Sequence, residues 1–354
     1  MLYLPKKLFL FFFSCIVVIV NYNNSDFVNA ANSIGFVNAA NSIGLNYGLL
    51  GDNLPSPSKV ITLYKSIDIT KIRIFDPNTE VLNALRGHRD IAVTVGVRDQ
   101  DLAALSASEE AVKGWFATNI EPYLSDINIA FITVGNEVIP GPIGPQVLPV
   151  MQSLTNLVKS RNLPISISTV VAMWNLEQSY PPSAGMFTSQ AREQLVPVLK
   201  LLSQTNSPIL VKIYPYFSYA SDPSSIRLDY ATFNTEAIVV QDGSLGYSNM
   251  FDAIFDAFVW AMEKEGVKDL PMVVSETGWP SAGNGNITTP DIAGTYNRNF
   301  VKHIASGKGT PKRPNKGIDG FLFATFNENQ KPVGTEQNFG LYNPNDMKPI
   351  YNLF

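Results

Sequence analysis

The chain has 354 residues, enough for one large domain or two ordinary ones, and at 45% hydrophobic it can bury a sizeable core. A net charge of −4 without any basic block argues against nucleic acid or an anionic membrane surface as partner. Two histidines (His88, His303) and one cysteine (Cys15) offer little for a His-based triad or a His-rich metal site, and no intramolecular disulfide, so neither metal nor cofactor is expected.

Lys6 and Lys7 precede an apolar run from Leu8 to Val20, shorter than the roughly 20 residues of a comfortable membrane span. A positive start, a short apolar run and later small residues describe a secretory leader, residues 1–39, with cleavage after Ala30 or Ala39. Phe27 to Gly35 is repeated without change as Phe36 to Gly44, and each copy supplies a Val-Asn-Ala end. Cys15 falls within the leader, so the mature chain, residues 40–354, relies on its core alone. No later segment reads as a span, and a secreted monomer away from the membrane is expected.

Apolar β-rich runs then alternate with helix-like segments. The runs are 42–48, 71–76, 91–97, 130–138, 164–171, 208–214 (continuing through Pro215, Tyr216 and Phe217), 272–275 and 320–326. Between them the pattern predicts helices over 59–66, 79–85, 147–160, 191–205, 250–265 and 289–306. The helix carrying Trp115 and Phe116 is predicted to start at Ser106 as N-cap, with Glu109 closing a capping box. Eight runs interleaved with helices, with no evident linker, predict a parallel sheet closed as a (β/α)₈ TIM barrel in one domain. A doubly wound open sheet is the alternative, but no Gly-x-Gly-x-x-Gly turn follows the first run. The longest insertion, 218–248, follows the sixth strand and is predicted to form a small subdomain on the rim.

Catalytic groups of such barrels stand at the carboxyl ends of the strands. Here those ends carry Tyr47, Phe75 with Asp76, Asn136 with Glu137, Tyr214 with Tyr216, Glu276 with Trp279, and Asn327 with Glu328. The predicted mouth is aromatic and acidic, without the Arg and Lys cluster expected for phosphate. Aromatic faces for sugar rings and carboxylates for hydroxyls suit a glycan cleft. Glu276 ends the run Met272–Ser275, and Glu137 ends the run from Ala130. Glycoside hydrolysis needs one carboxyl protonated and one ionised. Glu137 is assigned as acid/base, Glu276 as nucleophile, and Asn136 as a partner of the sugar 2-hydroxyl.

The stretch Met272-Val-Val-Ser-Glu-Thr-Gly-Trp-Pro-Ser-Ala-Gly283 resembles the signature of glycoside hydrolase family 17, the plant glucan endo-1,3-β-glucosidases. The resemblance continues, in order, through Ile43–Gly48, Asn53-Leu-Pro-Ser-Pro57, Ile72-Arg-Ile-Phe-Asp76, Val134-Gly-Asn-Glu-Val138, Tyr214-Pro-Tyr-Phe217, Phe326–Lys331 and Glu336–Leu341. It implies a (β/α)₈ barrel, a retaining mechanism and an extended cleft for β-1,3-glucan, with a role in defence or callose remodelling. By motif position it implies Glu137 as acid and Glu276 as nucleophile. It implies that Glu328, Lys331 and Glu336 line the site, and that Phe75, Tyr214, Phe217 and Trp279 line subsites. Lys212 and Phe75 depart from the pattern, since many members have Asn and Tyr there. The absence of a vacuolar extension after Tyr351 favours secretion. Asn286-Ile-Thr288 is a glycosylation sequon. A mixed-linkage 1,3-1,4-β-glucanase, a transglycosylase and a non-catalytic glycan-binding wall protein stay open.

Overall fold

The computed structural model describes residues 43–353. The leader, both cleavage sites and Cys15 lie outside them. Eight parallel strands form the barrel: β1 (Ile43–Asn46), β2 (Lys71–Ile74), β3 (Ala92–Val97), β4 (Asn128–Asn136), β5 (Ser166–Ala172), β6 (Ile209–Lys212), β7 (Met272–Thr277) and β8 (Asp319–Leu322). They neighbour one another in chain order, and β8 closes on β1 through Ile43 opposite Gly320 and Leu45 opposite Leu322.

Each strand is buried along nearly its whole length, which is why the runs read as continuously apolar rather than alternating. One face of every strand packs on the outer helices and the other fills the barrel. Ala92, Ala130, Phe131, Val170, Leu210, Val273 and Phe321 come from β3 through β8 and meet in one apolar cluster, which that shared origin places inside the barrel. Lys71 pairs with Asp319 where β2 and β8 begin. Residues two apart on a strand share a face, so Arg73 stands above Lys71, and Lys212 above Leu210. These cations point inward toward the mouth.

The outer helices largely follow the sequence pattern. Pro290–Ser306 is opened by Thr289, whose hydroxyl accepts from the Ile292 amide, and is closed by Gly307 at φ +63°. Val147–Ser160 and Met250–Lys264 lie where the periodicity places them. Three expectations are corrected. Ser106 ends a short helix, Leu102–Ser106, and the next one, Glu109–Asn119, is capped by Ser108 through the Ala111 amide. The two serines lie two residues apart, and burial of Val112, Trp115 and Phe116 selects the later one.

The sixth run does not continue as strand beyond Lys212. Pro215 occupies the first turn of a helix, Pro215–Ser221, where its missing N–H costs nothing. The eighth run stops as strand at Leu322; past it, the Phe323 amide donates to Thr277 O and the Thr325 amide to Asn46 O outside any named strand. The insertion after β6 holds that helix, a short turn Leu228–Ala231 and a hairpin of Val240–Asp242 with Leu245–Tyr247. A second hairpin, Leu176–Gln178 with Met186–Phe187, follows β5 and carries no strong pattern. Among the described residues no helix is long and apolar enough to cross a membrane.

Candidate active site

The carboxyl ends of the strands surround a cleft of about 930 Å³. Its lining includes Phe75, Asn136, Glu137, Tyr214, Phe217, Glu276, Glu328, Lys331 and Glu336. It also includes Tyr47, Asp99, Trp174, Lys212, Phe323 and Phe339.

Local backbone irregularity delivers the two glutamates. The ladder of β7 shifts register between Val274 and Glu276 against β6, and between Val274 and Thr277 against β8. Such a bulge re-aims a side chain. On β4 the register shifts between Thr133 and Asn136. Gly135 follows at φ +80°, and a Cβ there would meet the Val138 side chain at 2.6 Å. Glu137 itself sits at φ +65°, uncommon for a residue with a side chain, and its amide donates to Val170 O at 3.0 Å. A left-handed non-glycine residue costs on the order of 1–3 kcal/mol. The observed outlier therefore marks Glu137 as held where the mouth needs it.

Glu276 is buried and surrounded by donors. Arg73 Nη1 reaches its Oε1 at 2.5 Å, Lys212 Nζ reaches the same oxygen at 3.0 Å, and Tyr214 OH donates to Oε2 at 3.0 Å. Arg73 also donates to Asn46 Oδ1 at 3.1 Å and to Asn136 Oδ1 at 2.8 Å. Asn46 is anchored by donating to Ser275 O and Leu322 O. Glu137 is more open, its side chain 23% exposed, and its Oε2 lies 3.1 Å from Lys212 Nζ. Because both carboxylates touch one ammonium, the two contacts limit the distance between those oxygens to about 6.1 Å. That bound is compatible with the roughly 5–5.5 Å separation of a retaining pair of carboxyls.

The surroundings push the two carboxyls apart. Burial raises Glu137 above the ordinary glutamate value, against the pull of Lys212 and with the help of Glu276. Burial also works to raise Glu276, but Lys212 and Arg73, by charge and hydrogen bond, outweigh it and hold that carboxyl below the ordinary value. Burial and the neighbouring Glu276 push the Tyr214 phenol far up, so it stays a donor. One carboxyl pushed up beside one held down is the direction of division glycosidic cleavage needs.

Opposite this pair, Glu328 accepts from the Leu50 amide at 2.8 Å and meets Lys331 Nζ at 3.3 Å. Lys331 lies over the Phe323 ring, 4.1 Å from its centroid. Gly48 leaves the room: a Cβ there would stand 2.4 Å from the Glu328 carboxylate. Glu336 lines the cleft from a short turn, Thr335–Gln337. Phe75 lies under Arg73, whose guanidinium carbon is 4.4 Å from the ring centroid. Tyr214 packs edge-on against Phe217 at 5.3 Å and Phe339 at 5.7 Å. Phe217 is 40% exposed at the wall.

Trp279 does not line the cleft. It is fully buried against Tyr216, Tyr219 and Tyr296, and its indole N–H donates to Ile287 O at 2.8 Å. Two residues beyond Thr277 the chain has turned away from the mouth, so this tryptophan anchors the loop outside. Asn286 is exposed in that loop, in the short turn Gly285–Ile287. Among the described residues no group of three or more His, Cys, Asp or Glu is placed to hold a metal ion.

The model of the glycosyl hydrolases family 17 matches residues 43–354. The chain belongs to that family. It is 86% identical over 354 residues, all of both chains, to a probable glucan endo-1,3-beta-glucosidase, BG4, of Arabidopsis thaliana. It is 44% identical over 311 residues to a putative glucan endo-1,3-beta-glucosidase, GVI, of Hordeum vulgare, covering 87% of this chain and 95% of that one. Among solved structures it superposes on a plant beta-glucan endohydrolase, from a study of two with distinct substrate specificities, with a TM-score of 0.84 and 40% identity. That match covers 88% of this chain and 99% of the other. A beta-1,3-glucanase and pollen allergen of Cryptomeria japonica gives the same TM-score at 42% identity, over 88% and 98%.

In this family 17 hydrolase the mouth holds more than sequence reasoning found. Beside Lys331, which the resemblance placed at the site, Lys212 lines the cleft and Arg73 lies buried beneath it, each paired to a glutamate. Their signal was present: Arg73 and Lys212 interrupt apolar runs, where an unpaired charge is too costly to bury. Asp99 was also missed; it accepts from the Asn136 amide at 3.0 Å and steadies the β4 end. Trp174, 55% exposed at the cleft wall, lies two residues past the end of β5 and could have been read as a strand-end aromatic.

Proposed function

We propose that this family 17 hydrolase cleaves 1,3-β-D-glucosidic bonds within β-1,3-glucan chains by double displacement, with retention. Glu276 attacks the anomeric carbon as the bond to the leaving sugar oxygen breaks, and Glu137 gives that oxygen its proton. A glycosyl ester on Glu276 results. Water then attacks the same carbon, Glu137 takes its proton, and the ester bond breaks to restore the Glu276 carboxylate. The observation that carries the reading is the pair itself: a buried carboxylate held ionised by Arg73 and Lys212, facing a more open carboxyl raised by burial.

Arg73 occupies Asn136 Oδ1, which leaves the amide N–H groups of Asn136 to meet a sugar hydroxyl. Phe75, Phe217 and Trp174 offer ring faces to glucosyl units, while Glu328, Lys331 and Glu336 offer polar contacts. The β-1,3 linkage is supported by the printed activities of the relatives at 86% and 44% identity. Every named group comes from one barrel, so a single chain suffices as the working unit. The leader at 1–39 favours export, and the exposed Asn286 favours glycosylation there.

Hydrolysis of a linear β-1,3-glucan and of a mixed 1,3-1,4-β-glucan, with products sized over time, tests linkage and endo action together. The proposal expects short oligosaccharides early from the first substrate and little from the second. Faster cleavage of the mixed glucan would overturn the linkage, and release of glucose alone would overturn endo action. Glu276→Gln should abolish turnover while oligosaccharide binding survives; unchanged hydrolysis would overturn the assignment.

A further inference from the structure

Lys212 occupies a position that a pair of glutamates does not by itself require. Its Nζ lies 3.0 Å from Glu276 Oε1 and 3.1 Å from Glu137 Oε2, so one ammonium is shared by both. The strand register fixes it there, with Lys212 directly opposite Glu276 across β6 and β7. Its side chain is only 8% exposed, which limits screening by water.

The charged groups around it come from every side of the mouth. Arg73 faces it from β2, Asp99 from the loop after β3, Glu137 from the end of β4 and Glu276 from β7. Tyr214, after β6, stays a neutral phenol, and Glu336 acts on that phenol from beyond β8. The Asn46 and Ala172–Trp174 sides are uncharged, and Glu328 is paired to Lys331. Asp99, Glu137 and Glu276 therefore stand against Arg73 and Lys212. One proton would balance this group; burial raises both Glu137 and Asp99, while Glu276 is held below its ordinary value. With a neutral side chain at 212 a second proton would be needed for balance, and Glu276 is the carboxylate that would lose its nearest remaining charge after Arg73.

Building on Glu137 as acid and Glu276 as nucleophile, we propose that Lys212 is a positioning residue whose single ammonium, shared by both carboxyls, sets the pH window in which hydrolysis runs. Sharing its ammonium keeps Glu276 ionised, and it moves the pH window of hydrolysis toward acid. As Glu137 passes its proton to the leaving oxygen, the ammonium already at Oε2 meets the carboxylate that forms. Lys212 thus strengthens the acid and preserves the nucleophile through one charge.

The test is the pH dependence of kcat/KM on a linear β-1,3-glucan for the full-length protein and for Lys212→Asn, Lys212→Gln, Lys212→Met and Lys212→Arg, with near-UV circular dichroism to confirm folding. The neutral variants that fold should move both limbs upward by about 1 unit or more, the shift an adjacent opposite charge imposes on a carboxyl. Lys212→Arg should keep both limbs near their original positions. Limbs that stay in place in the neutral variants would overturn the proposal, as would a full set of unfolded neutral variants beside a folded Lys212→Arg. Glu276→Gln is measured in parallel. Activity surviving in that variant would refute the assignment of the carboxylates, a failure separate from that of Lys212.

Discussion

Replacing Arg73 by Met removes the guanidinium that ties β2 to both glutamate strands. Arg73 is 1% exposed, and its fork reaches Glu276, Asn46 and Asn136. Removing one partner of a buried ion pair costs about 3–5 kcal/mol because the other charge is left uncompensated. Lys212 still faces Glu276 at 3.0 Å, so the lower end, about 3 kcal/mol, applies. Asn46 is fully buried and its Oδ1 loses its donor, adding about 1 kcal/mol; Asn136 reaches the cleft and adds little. A loss of about 4 kcal/mol, at roughly 2 °C per kcal/mol for a domain this large, lowers Tm by about 8 °C. The loss also depends on pH. Glu276 has a folded pKa below its unfolded value, so its contribution is present above the unfolded value and is lost as pH falls through the folded one. Without Arg73 that depression shrinks, so the difference in Tm between wild type and variant narrows in acid. Thermal scans at pH 7 and near pH 3.5 read both effects, with Lys113→Met, a change in an exposed helix pair, as a control that leaves Tm in place. A Tm for Arg73→Met within about 2 °C of wild type at pH 7 would refute the reasoning.

Gly48→Ala forces the Glu328 carboxylate off the Leu50 amide, and kcat/KM is expected to fall at least tenfold with Tm nearly unchanged; equal kcat/KM would show that Glu328 is dispensable. Trp174→Ala should raise KM for long glucans several-fold and leave kcat within twofold, whereas Trp279→Ala should lower Tm by several degrees before it touches KM. Initial-rate and melting measurements separate the two tryptophans. Burial raises Asp256 to about 6, against the help of Thr310 and the Lys312 amide. A folded pKa above the unfolded one gives stability that is present below about pH 4 and is lost as pH rises through about 6. Asp256→Asn should therefore flatten the decline in Tm between those values, and an unchanged slope would exclude Asp256 as its source.

The barrel was legible because parallel strands covered on both faces must be apolar throughout, and eight such runs separated by helical patterns have few other solutions. Glu137 and Glu276 were legible as a pair: one carboxylate ending a buried run reads as a structural ion pair, but two, each at its own strand end, pointed to a shared mouth. The pairing of charges was not. Arg73 and Glu276 are 203 positions apart, and only closure of the barrel brings them together. Trp279 misled for a geometric reason: proximity in sequence to Glu276 says nothing about which way the chain turns after a strand ends. The Tyr-Pro-Tyr-Phe stretch after β6 is rich in residues favoured in strands, yet Pro215 opens a helix there, and burial of Tyr216 and Tyr219 against Trp279 outweighs the local preference. The hairpin after β5 is short and partly polar, and so leaves no periodic trace.

The central claim is that Glu137 and Glu276 act on one anomeric carbon in two successive displacements. Proton NMR of a fresh digest of linear β-1,3-glucan, recorded before mutarotation, reads the outcome directly. The account predicts that the β-anomer of the new reducing end appears first and the α-anomer only later; an α-anomer that appears first would contradict it.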